Sequence, residues 1–510
     1  MAHLGSRRAR VLALPAGLAL TASLGFLPAG GASAAELSDA PTAATASGPE
    51  LSYVVNVGGG RWTADAVRAS IAEAGGDIVQ SYDQIGVIVV HSKNPGFAAA
   101  IRKAPGVISA GATRTAPMAV QTDDSIGEGG QALTEAEMKA AAATATAGQD
   151  PLEPLQWDLP AIKADKAHEK TLGSSKVTVG IIDTGVDDTH PDLAPNFDPA
   201  ASASCVGGKP DTTFGAWRPK PGESDHGTHV AGTIGAAKNG IGVTGVAPGV
   251  KLAGIKVSTP AGYFYTEAVV CGFVWAAEHG IDVTNNSYYT DPWMFACKND
   301  EDQKALIEAV TRATRYAEKK GAVNVAAAGN SAFDLAADSI HDGGSPNDST
   351  AGGRDIDPKE CFDYPAMLPG VVTVSATGAL NMKSSYSNYG LGVVDVAAPG
   401  GDSTKYQPPQ APANNGLILS TTVNGGYNYK AGTSMASPHV AGVLALLKSS
   451  HPNAAPAALK ALLAAQATAT PCAPYDYNGD GKADAVCEGG KQKNGFYGAG
   501  IVDALAAVGK

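Results

Sequence analysis

The sequence predicts an α/β protein, in which a parallel sheet flanked by helices follows a small α+β domain. The first observation is that apolar, β-branched runs alternate with helical stretches between residues 156 and 510, as in parallel sheets covered by helices. The second is that a shorter region, from 51 to 117, follows the order β-α-β-β-α-β. The chain has 510 residues, which leaves room for more than one domain.

The larger region contains the elements of the predicted sheet. Strands are expected at 177–182, 252–257, 281–286, 323–327, 371–375 and 393–397. Helices are expected at 226–237, 265–279, 302–319 and 435–449. Open parallel sheets bind their ligands at the carboxyl ends of the strands, and Asp183 and Asn330 fall at two such ends.

The smaller region has the element order of a ferredoxin-like fold. Its strands are predicted at Leu51–Val57, on either side of 84–86 within Asp77–Ser92, and at Val107–Ala110. Its helices are predicted at Thr63–Ala74 and Phe97–Lys103.

The first 34 residues have the pattern of a signal peptide. Arg7, Arg8 and Arg10 precede the apolar stretch Val11–Leu27, and the small residues at 32–34 supply a cleavage site. The alternative is a buried helix, although prolines and glycines follow directly. No later stretch is apolar for the ~18 residues of a membrane span, so we expect a secreted, extracellular protein without a membrane anchor.

Residues 118–155 have the composition of a linker. Between Gln121 and Glu153 there are seven acidic residues and one lysine, with alanine runs that bury little surface. The whole chain carries a net charge of -12, and no basic cluster follows the signal segment. We therefore expect neither nucleic acid nor an anionic membrane as a partner.

The segment GTSMASPHVAG, from 432 to 442, places Ser434 where a strand ends and a helix begins. Small neighbours let a substrate approach closely, and the unpaired N–H groups of a helix start can bind an oxyanion. Ser434 is therefore a candidate nucleophile, which needs a base and an orienting acid.

Both partners are found upstream. Asp183 ends the first predicted strand, and His226 opens a helix in the segment DHGTHVAGT. Taken alone, Asp183 has the alternative role of a strand-end cap. Alternatively, His226 and His229 could both bind a metal ion, although the Glu and the third ligand of the H-E-x-x-H zinc motif are missing. We expect His229 and His439 to be packed, hydrogen-bonded helix residues.

The order Asp, His, Ser is the order found in subtilisin. The segments IIDTGVDDTHPDL, DHGTHVAGT and GTSMASPHVAG, with AAAGN at 326–330, resemble the subtilisin-like serine proteases. The resemblance implies a serine endopeptidase acting on proteins and peptides, monomeric and without a catalytic cofactor. In it His226 is the base, Asp183 orients the imidazole, and Asn330 with the Ser434 N–H binds the oxyanion. The alternatives are a degenerate homologue that only binds peptides, and a selective processing protease rather than a scavenging one.

The resemblance also gives a role to residues 51–117. In this family a propeptide at that position assists folding, and its C-terminal tail occupies the active cleft until it is cut away. The chain would then be made as a zymogen inhibited by its own propeptide. The alternative is an accessory domain that stays attached.

One departure from the family concerns the substrate. After the strand ending at Asn286 the family usually continues Ser-Leu-Gly-Gly, whereas this chain has Ser287, Tyr288 and Tyr289. With Ala328 and Gly329 these residues are the expected substrate-binding positions. The two aromatic residues would either narrow the cleft or form an aromatic platform.

Six cysteines in an exported chain are able to pair. Cys472 and Cys487 bracket a polar loop within a predicted insertion at 468–490, and we expect them to form a disulfide. Cys297 and Cys361 are the second expected pair. Cys205 and Cys271 then remain, either as a third disulfide or with Cys271 as a buried free thiol.

Two structural calcium sites are expected. The first, inside the Cys472–Cys487 loop, matches several positions of an EF-hand loop but has Cys487 in place of its bidentate Glu, so an Asx-rich turn is the alternative. Its ligands would be Asp476, Asn478, Asp480 and Asp484. The second follows from the family resemblance and would use Asp192 and Asn239 with the carbonyls of Ile241 and Val243. There Lys238 occupies a position usually filled by a neutral ligand.

Overall fold

The computed structural model describes residues 47–58, 61–117, 130–402, 407–477 and 481–509. The predicted signal segment at 1–34 and the first part of the predicted linker, at 118–129, lie outside these ranges. So do two of the predicted calcium ligands, Asn478 and Asp480. Within the described ranges, none of the helices combines the length and apolar composition that a bilayer crossing requires.

The predicted parallel sheet is present and has seven strands. From one edge to the other the strands are Val396–Pro399, Val372–Thr377, Val323–Ala327, Val283–Asn286, Thr178–Asp183, Lys251–Lys256 and Ala203–Ser204. The strand order reverses beside Thr178–Asp183. The next two strands along the chain lie on one side of it, and all later strands of the sheet lie on the other. Such a switch point opens a crevice at the carboxyl ends of the strands.

Helices cover both faces of this sheet, as predicted. On one face lie His226–Gly235 and Thr433–Ser450, and on the other lie Thr266–Glu278 and Glu301–Lys320. Successive strand residues point to opposite faces, so that Ile181 belongs to the first core and Ile182 to the second. Both side chains are fully buried, which explains why these strands are continuously apolar.

The small N-terminal domain also has the predicted fold. Its antiparallel sheet has the order Gly76–Tyr82, Val87–Ser92, Leu51–Val57 and Val107–Ala112, and its helices are Arg61–Glu73 and Phe97–Ile101. One sheet face packs on its own helices, and the other packs on the helices Thr266–Glu278 and Glu301–Lys320. The Tyr82 hydroxyl donates to the Gly208 carbonyl at 2.7 Å, and the Asn56 amide donates to the Ala305 carbonyl at 2.9 Å.

From residue 130 onward the predicted linker contains regular structure and lies against the larger domain. Gln131–Ala132 pairs with the strand Gly426–Lys430, and Glu135–Thr144 is a helix with a capping box formed by Thr134 and Glu137. A small core then forms around Ala141, Leu152, Leu155, Ala236, Val243, Leu419 and Tyr429. Glu135 is exposed, but Asp150 and Glu153 are buried together with Ala141, Leu152 and Leu155 against the larger domain.

Apart from the helix Pro456–Gln466, the remaining elements are short. The other α-helices are Asp158–Ala161, Ala164–His168, Pro456–Gln466 and Ala504–Ala507, and the 3₁₀ turns are Glu153–Leu155, Pro199–Ala201 and Val423–Gly425. Short antiparallel pairs are formed by Ile418–Thr422 with Gly426–Lys430, Ala296–Cys297 with Cys361–Phe362, Ile340–Asp342 with Arg354–Ile356, and Gly489–Gly490 with Lys493–Asn494. The Ser434 helix begins at Thr433, slightly earlier than predicted.

All six cysteines are paired in the structure. The two expected disulfides, Cys472–Cys487 and Cys297–Cys361, are formed. The third is Cys205–Cys271, so Cys271 is not a free thiol. It ties the loop after the short strand Ala203–Ser204 to the buried helix Thr266–Glu278.

Candidate active site

Asp183 and His226 form a buried pair at the carboxyl end of the sheet. Asp183 is the last residue of its strand and is fully buried, while His226 is the first residue of its helix and is 6% exposed. The imidazole Nδ1 lies 2.8 Å from Asp183 Oδ1, which also accepts from the Thr184 N–H at 2.7 Å. The carboxylate accepts from Nδ1, which leaves Nε2 as the free nitrogen of the ring.

A glycine brings the helix close enough for this contact. A methyl group built on Gly227 would lie only 2.3 Å from the Gly185 carbonyl oxygen and 3.1 Å from Asp183 Cβ. The Gly227 N–H also donates to Thr184 Oγ1 at 2.9 Å. A larger residue at this position would push the His226 helix away from the strand that carries Asp183.

Ser434 lies in the first turn of its helix and is 7% exposed. Its hydroxyl donates to the Ser287 carbonyl at 3.2 Å, and the Ser287 hydroxyl donates to the Ser434 carbonyl at 3.0 Å. Among the described residues, Ser434 makes no hydrogen bond to His226. The two side chains nevertheless flank the same residue, because Ser287 lines both the cavity of about 580 Å³ that contains His226 and the one of about 220 Å³ that contains Ser434.

Asn330 and the Ser434 N–H point at one small space. The Thr433 N–H and hydroxyl both donate to Asn330 Oδ1 at 2.8 Å, which identifies that atom as the amide oxygen and leaves Nδ2 free to donate. A methyl group built on Gly432 would lie 3.4 Å from Asn330 Nδ2 and 3.5 Å from Ser434 N. The absent side chain of Gly432 therefore leaves open the space on which the two donors converge.

The other two histidines of these helices are held by the protein. His229 Nε2 lies 3.0 Å from the Asn428 carbonyl, and complete burial lowers its pKa to about 3. His439 Nδ1 lies 2.7 Å from the Met435 carbonyl and its Nε2 lies 2.9 Å from Asp158 Oδ2. Both therefore behave as packed helix residues, and no group of three potential metal ligands occurs among the described residues.

The two tyrosines that depart from the family pattern have different environments. Tyr288 is 5% exposed, stacks on Phe264 with ring centroids 4.4 Å apart, and donates its hydroxyl to Asn286 Oδ1. Tyr289 is half-buried, and its hydroxyl accepts from the Asn347 amide at 2.9 Å. Both tyrosines line the cavity beside Ser434, Tyr288 as a core residue and Tyr289 as the more exposed of the two.

On the opposite side lie Ala328 and Gly329. The Ala328 carbonyl accepts from the Asn388 amide at 2.8 Å, and Gly329 has a φ of +98°, which favours glycine. The cavity between the two sides contains residues that the sequence did not point to, among them Asp363 and Asn388. Neither belongs to a motif, so no signal in the sequence would have found them.

The residues around Asp192 do not fit a calcium ion. Asp192 Oδ2 accepts from the Val243 N–H and the Tyr427 hydroxyl, both at 3.0 Å, and Oδ1 accepts from the Asn239 amide at 3.3 Å. These protein donors occupy the oxygens that a cation would need, and burial raises the Asp192 pKa to about 6. Ile241 and Val243 lie in the adjoining loop, while Lys238 turns away to pair with Glu153 at 2.7 Å.

The loop between Cys472 and Cys487 is described only in part. Asp476 Oδ2 accepts from the Gly481 N–H at 2.8 Å, and Asp484 Oδ2 accepts from the Tyr477 N–H at 2.7 Å. Asn478 and Asp480 lie outside the described residues. Calcium at this loop therefore stays a prediction from the sequence.

The chain is similar in sequence to known proteins. The chain is 35% identical to subtilisin DY of Bacillus licheniformis over 62% of its own length and 92% of that protein. It is 33% identical to fervidolysin of Fervidobacterium pennivorans over 64% of its length, but spans only 41% of that longer protein.

Solved structures show the same relationship. The epidermin leader peptide processing serine protease of Staphylococcus aureus superposes with a TM-score of 0.65 at 25% identity, covering 90% of this chain and 98% of that one. The fervidolysin structure covers 93% of this chain and 62% of its own, with a TM-score of 0.56 and 25% identity. A family model described as "Subtilase family" matches residues 174–500. Since that match spans well over half of the sequence and contains Asp183, His226, Asn330 and Ser434, the chain belongs to the subtilase family.

Proposed function

We propose that this chain is the precursor of a secreted serine endopeptidase that hydrolyses peptide bonds through an acyl-enzyme on Ser434. Subtilases are serine endopeptidases, and family membership supports the reaction class. The observation that carries the proposal is the placement of His226, Ser434 and Asn330 around one crevice, with Asp183 behind the imidazole. Secretion rests on the signal pattern at 1–34.

His226 would act as the general base. Asp183 accepts from Nδ1–H and so favours the tautomer in which Nε2 carries a lone pair. Nε2 would take the Ser434 proton as the oxygen attacks the substrate carbonyl, and would return that proton to the leaving amine. The buried Asp183 carboxylate would stabilise the imidazolium that exists between these two steps.

The Ser434 hydroxyl must turn before it reacts. In the structure it donates to the Ser287 carbonyl, and catalytic hydrogen bonds are often completed only when substrate is bound. Rotation about the Cα–Cβ bond of Ser434 would release that carbonyl and present the hydroxyl to His226.

The tetrahedral intermediate carries an oxyanion that needs fixed donors. Asn330 Nδ2 and the Ser434 N–H converge beside Gly432 and would supply them. The Asn330 side chain is held by Thr433, so the donor is in place before the substrate arrives.

Gly432→Ala would fill this space. The added methyl group would sit 3.4 Å from Asn330 Nδ2 and 3.5 Å from Ser434 N, where the oxyanion is expected. We expect kcat to fall by about 100-fold or more, the loss known for removal of one oxyanion donor in subtilisin itself. Steady-state kinetics on a peptide substrate would measure it. An unchanged kcat in the folded variant would place the oxyanion elsewhere.

Labelling with a fluorophosphonate probe tests the proposed reaction. The mature enzyme should form an adduct at neutral pH, and mass spectrometry should locate it on Ser434. Ser450→Ala is a matched control, because Ser450 lies at the other end of the same helix and should leave labelling unchanged. A folded protein that forms no adduct on Ser434 would instead be a degenerate, peptide-binding homologue.

We further propose that the small N-terminal domain, residues 51–117, inhibits the enzyme until it is removed. Its last described residues extend from the sheet onto the larger domain. The Thr115 and Ala116 N–H groups donate to Asp348 Oδ2 at 2.9 and 3.2 Å. The Arg114 guanidinium pairs with Glu267 and lies 3.9 Å from the centre of the Tyr265 ring.

The Arg114–Glu267 pair is the buried part of this attachment. Arg114 is 7% and Glu267 2% exposed, so neither charge has an alternative partner in water. Burial acts to raise the pKa of Glu267, but the nearby Arg114 charge and the hydrogen bonds to the carboxylate together outweigh it, and the pKa lies below its usual value. The carboxylate is therefore charged while Arg114 is in place.

Arg114→Ala should loosen the inhibitory domain. Removal of one partner of a buried pair costs roughly 3 kcal/mol or more, a factor of about 100 in affinity. The precursor variant should therefore become active with a shorter lag than the wild type, followed by a chromogenic peptide and by gel analysis. Arg68→Ala is the control, because the hydrogen bonds of the Arg68 guanidinium within the described residues go to Asp65, Ser81 and Asp83 of its own domain. An equal lag in both variants would argue for an accessory role.

A further inference from the structure

The cavity beside Ser434 is a side pocket of the crevice. It has a volume of about 220 Å³ and lies between the segment 287–289 and the segment 327–331. Ser434 and Asn330, the proposed nucleophile and oxyanion donor, stand at its mouth. A substrate carbonyl placed on these two groups would therefore direct the side chain of the same residue into this pocket.

Asp363 lines the pocket and is 3% exposed. Its Oδ2 lies 3.3 Å from the position of a methyl group built on Gly329, the residue next to Asn330. The carboxyl thus approaches the pocket from behind a glycine, where no side chain covers it.

The backbone of Asp363 is firmly held. The residue directly follows the strand Cys361–Phe362, which pairs with Ala296–Cys297 and is joined to it by the Cys297–Cys361 disulfide. The Asp363 carbonyl accepts from the Met367 N–H at 2.8 Å, in the turn that follows. The position of its carboxyl is therefore set by the scaffold.

This carboxyl has no partner among the described residues. Its Oδ1 is buried without a hydrogen bond, and neither oxygen forms an ion pair in the described part of the chain. Burial raises the pKa of Asp363 well above its usual value, because nothing nearby compensates a negative charge. A buried carboxyl without a partner is costly for a folded protein, so a functional reason is expected.

The neighbouring charges are negative or already paired. Asp291 accepts from the Phe264 N–H and the Asn347 amide, and Asp342 pairs with Arg354 at 2.9 Å. The pKa of Tyr289, at the pocket wall, is raised mainly by burial and further by the nearby carboxylates Asp291 and Asp363. No lysine, arginine or histidine lines this pocket in the described part of the chain.

We propose that Asp363 makes this pocket selective for arginine or lysine at the residue that precedes the scissile bond. The proposal rests on the endopeptidase activity proposed above and adds its substrate class. An ammonium or guanidinium group in the pocket would ionise the carboxyl and form charge-assisted hydrogen bonds with it, away from water. The favoured substrates are then proteins cut after basic residues, which suits a selective processing enzyme better than a scavenging one.

Paired peptides test this preference in the wild-type mature enzyme. Quenched fluorescent peptides would differ only before the scissile bond, with arginine, citrulline or norleucine at that position. Citrulline has the shape of arginine without its charge. We expect kcat/KM for the arginine peptide to exceed that for the citrulline peptide by about 100-fold or more, since a site built for a charged partner rejects its neutral isostere.

Asp363→Asn should remove most of this ratio while leaving the norleucine peptide cleaved at a similar or higher rate. Asp355→Asn is the matched control, because Asp355 is exposed on the hairpin Ile340–Asp342/Arg354–Ile356, and the arginine-to-citrulline ratio should persist. A ratio near one in the wild type would overturn the proposal whether or not the variant folds. So would a ratio that survives Asp363→Asn.

Fluorophosphonate labelling tests the endopeptidase activity separately from the role of Asp363. The probe reacts with the nucleophile without using the arginine contact. Full labelling of Ser434 together with no preference for arginine would reject the role of Asp363 alone. Absence of both labelling and cleavage would reject the endopeptidase activity itself.

Discussion

Ser434→Ala is expected to lower kcat about 10⁶-fold, the loss known for the corresponding change in subtilisin itself. The oxygen that attacks the substrate is absent, and His226 then has no proton to accept. The substitution removes one oxygen without adding an atom, and the side-chain hydrogen bond that it removes within the described residues is the one to the Ser287 carbonyl. Active-site kinetics on a peptide ester would measure the residual rate.

The same variant should also stay uncut. If the enzyme removes its own N-terminal domain, Ser434→Ala should accumulate a precursor that still contains residues 51–117, visible by gel and by N-terminal sequencing. Ser450→Ala should mature normally. Normal maturation of Ser434→Ala would show that another protease makes the cut, without affecting the kinetic prediction.

Asp183→Asn is expected to lower kcat about 10⁴-fold, the magnitude known for this change in another serine protease. The asparagine oxygen could still accept from the Thr184 N–H, and the amide nitrogen would replace Oδ2, which is buried without a partner. Shape is therefore conserved, and what is lost is the carboxylate that fixes the His226 tautomer and stabilises its imidazolium. Single-turnover kinetics on an ester substrate would measure the effect.

The chain contains its own control for this prediction. Asp158 and His439 form a second buried pair, with Asp158 Oδ2 2.9 Å from His439 Nε2 and Asp158 Oδ1 without a partner. Asp158→Asn is the same chemical change in a similar environment, but away from the crevice. It should lower the melting temperature and leave kcat within a few fold of wild type. Equal losses of kcat in both variants would mean that the Asp183 effect is structural.

Much of the fold was predictable because local and long-range preferences agree. The strand that carries Ile181 and Ile182 is apolar on both faces, and the structure buries both. The candidate site was predictable for a different reason: Asp183, His226 and Ser434 each lie in a short motif at the end of an element, so position along the chain already indicated position on the sheet.

The rest depends on contacts between distant segments. Asp363 enters the site from a turn after a short strand, and only the folded chain places it behind Gly329. The described part of 118–155 was misjudged because acidic residues and alanine runs indicate little burial, yet Ala141, Leu152 and Leu155 are buried against the larger domain. The calcium site at Asp192 was expected only from the family resemblance. In the structure the hydroxyl of Tyr427, which belongs to a later hairpin, donates to the Asp192 carboxylate that would bind the ion.

The strand Gln131–Ala132 has a consequence for how the enzyme could be trimmed. It adds a third strand to the hairpin whose second strand, Gly426–Lys430, leads directly into Gly432 and Ser434. A cut upstream of Gln131 would separate the N-terminal domain and leave this strand in place, whereas a cut downstream of Ala132 would detach it. After the first cut, the strand Gly426–Lys430 keeps a paired strand on each side. After the second cut, one edge of Gly426–Lys430 is unpaired and could pair with a strand of another molecule. The position of the cut would therefore decide whether the hairpin that leads to Ser434 keeps its third strand.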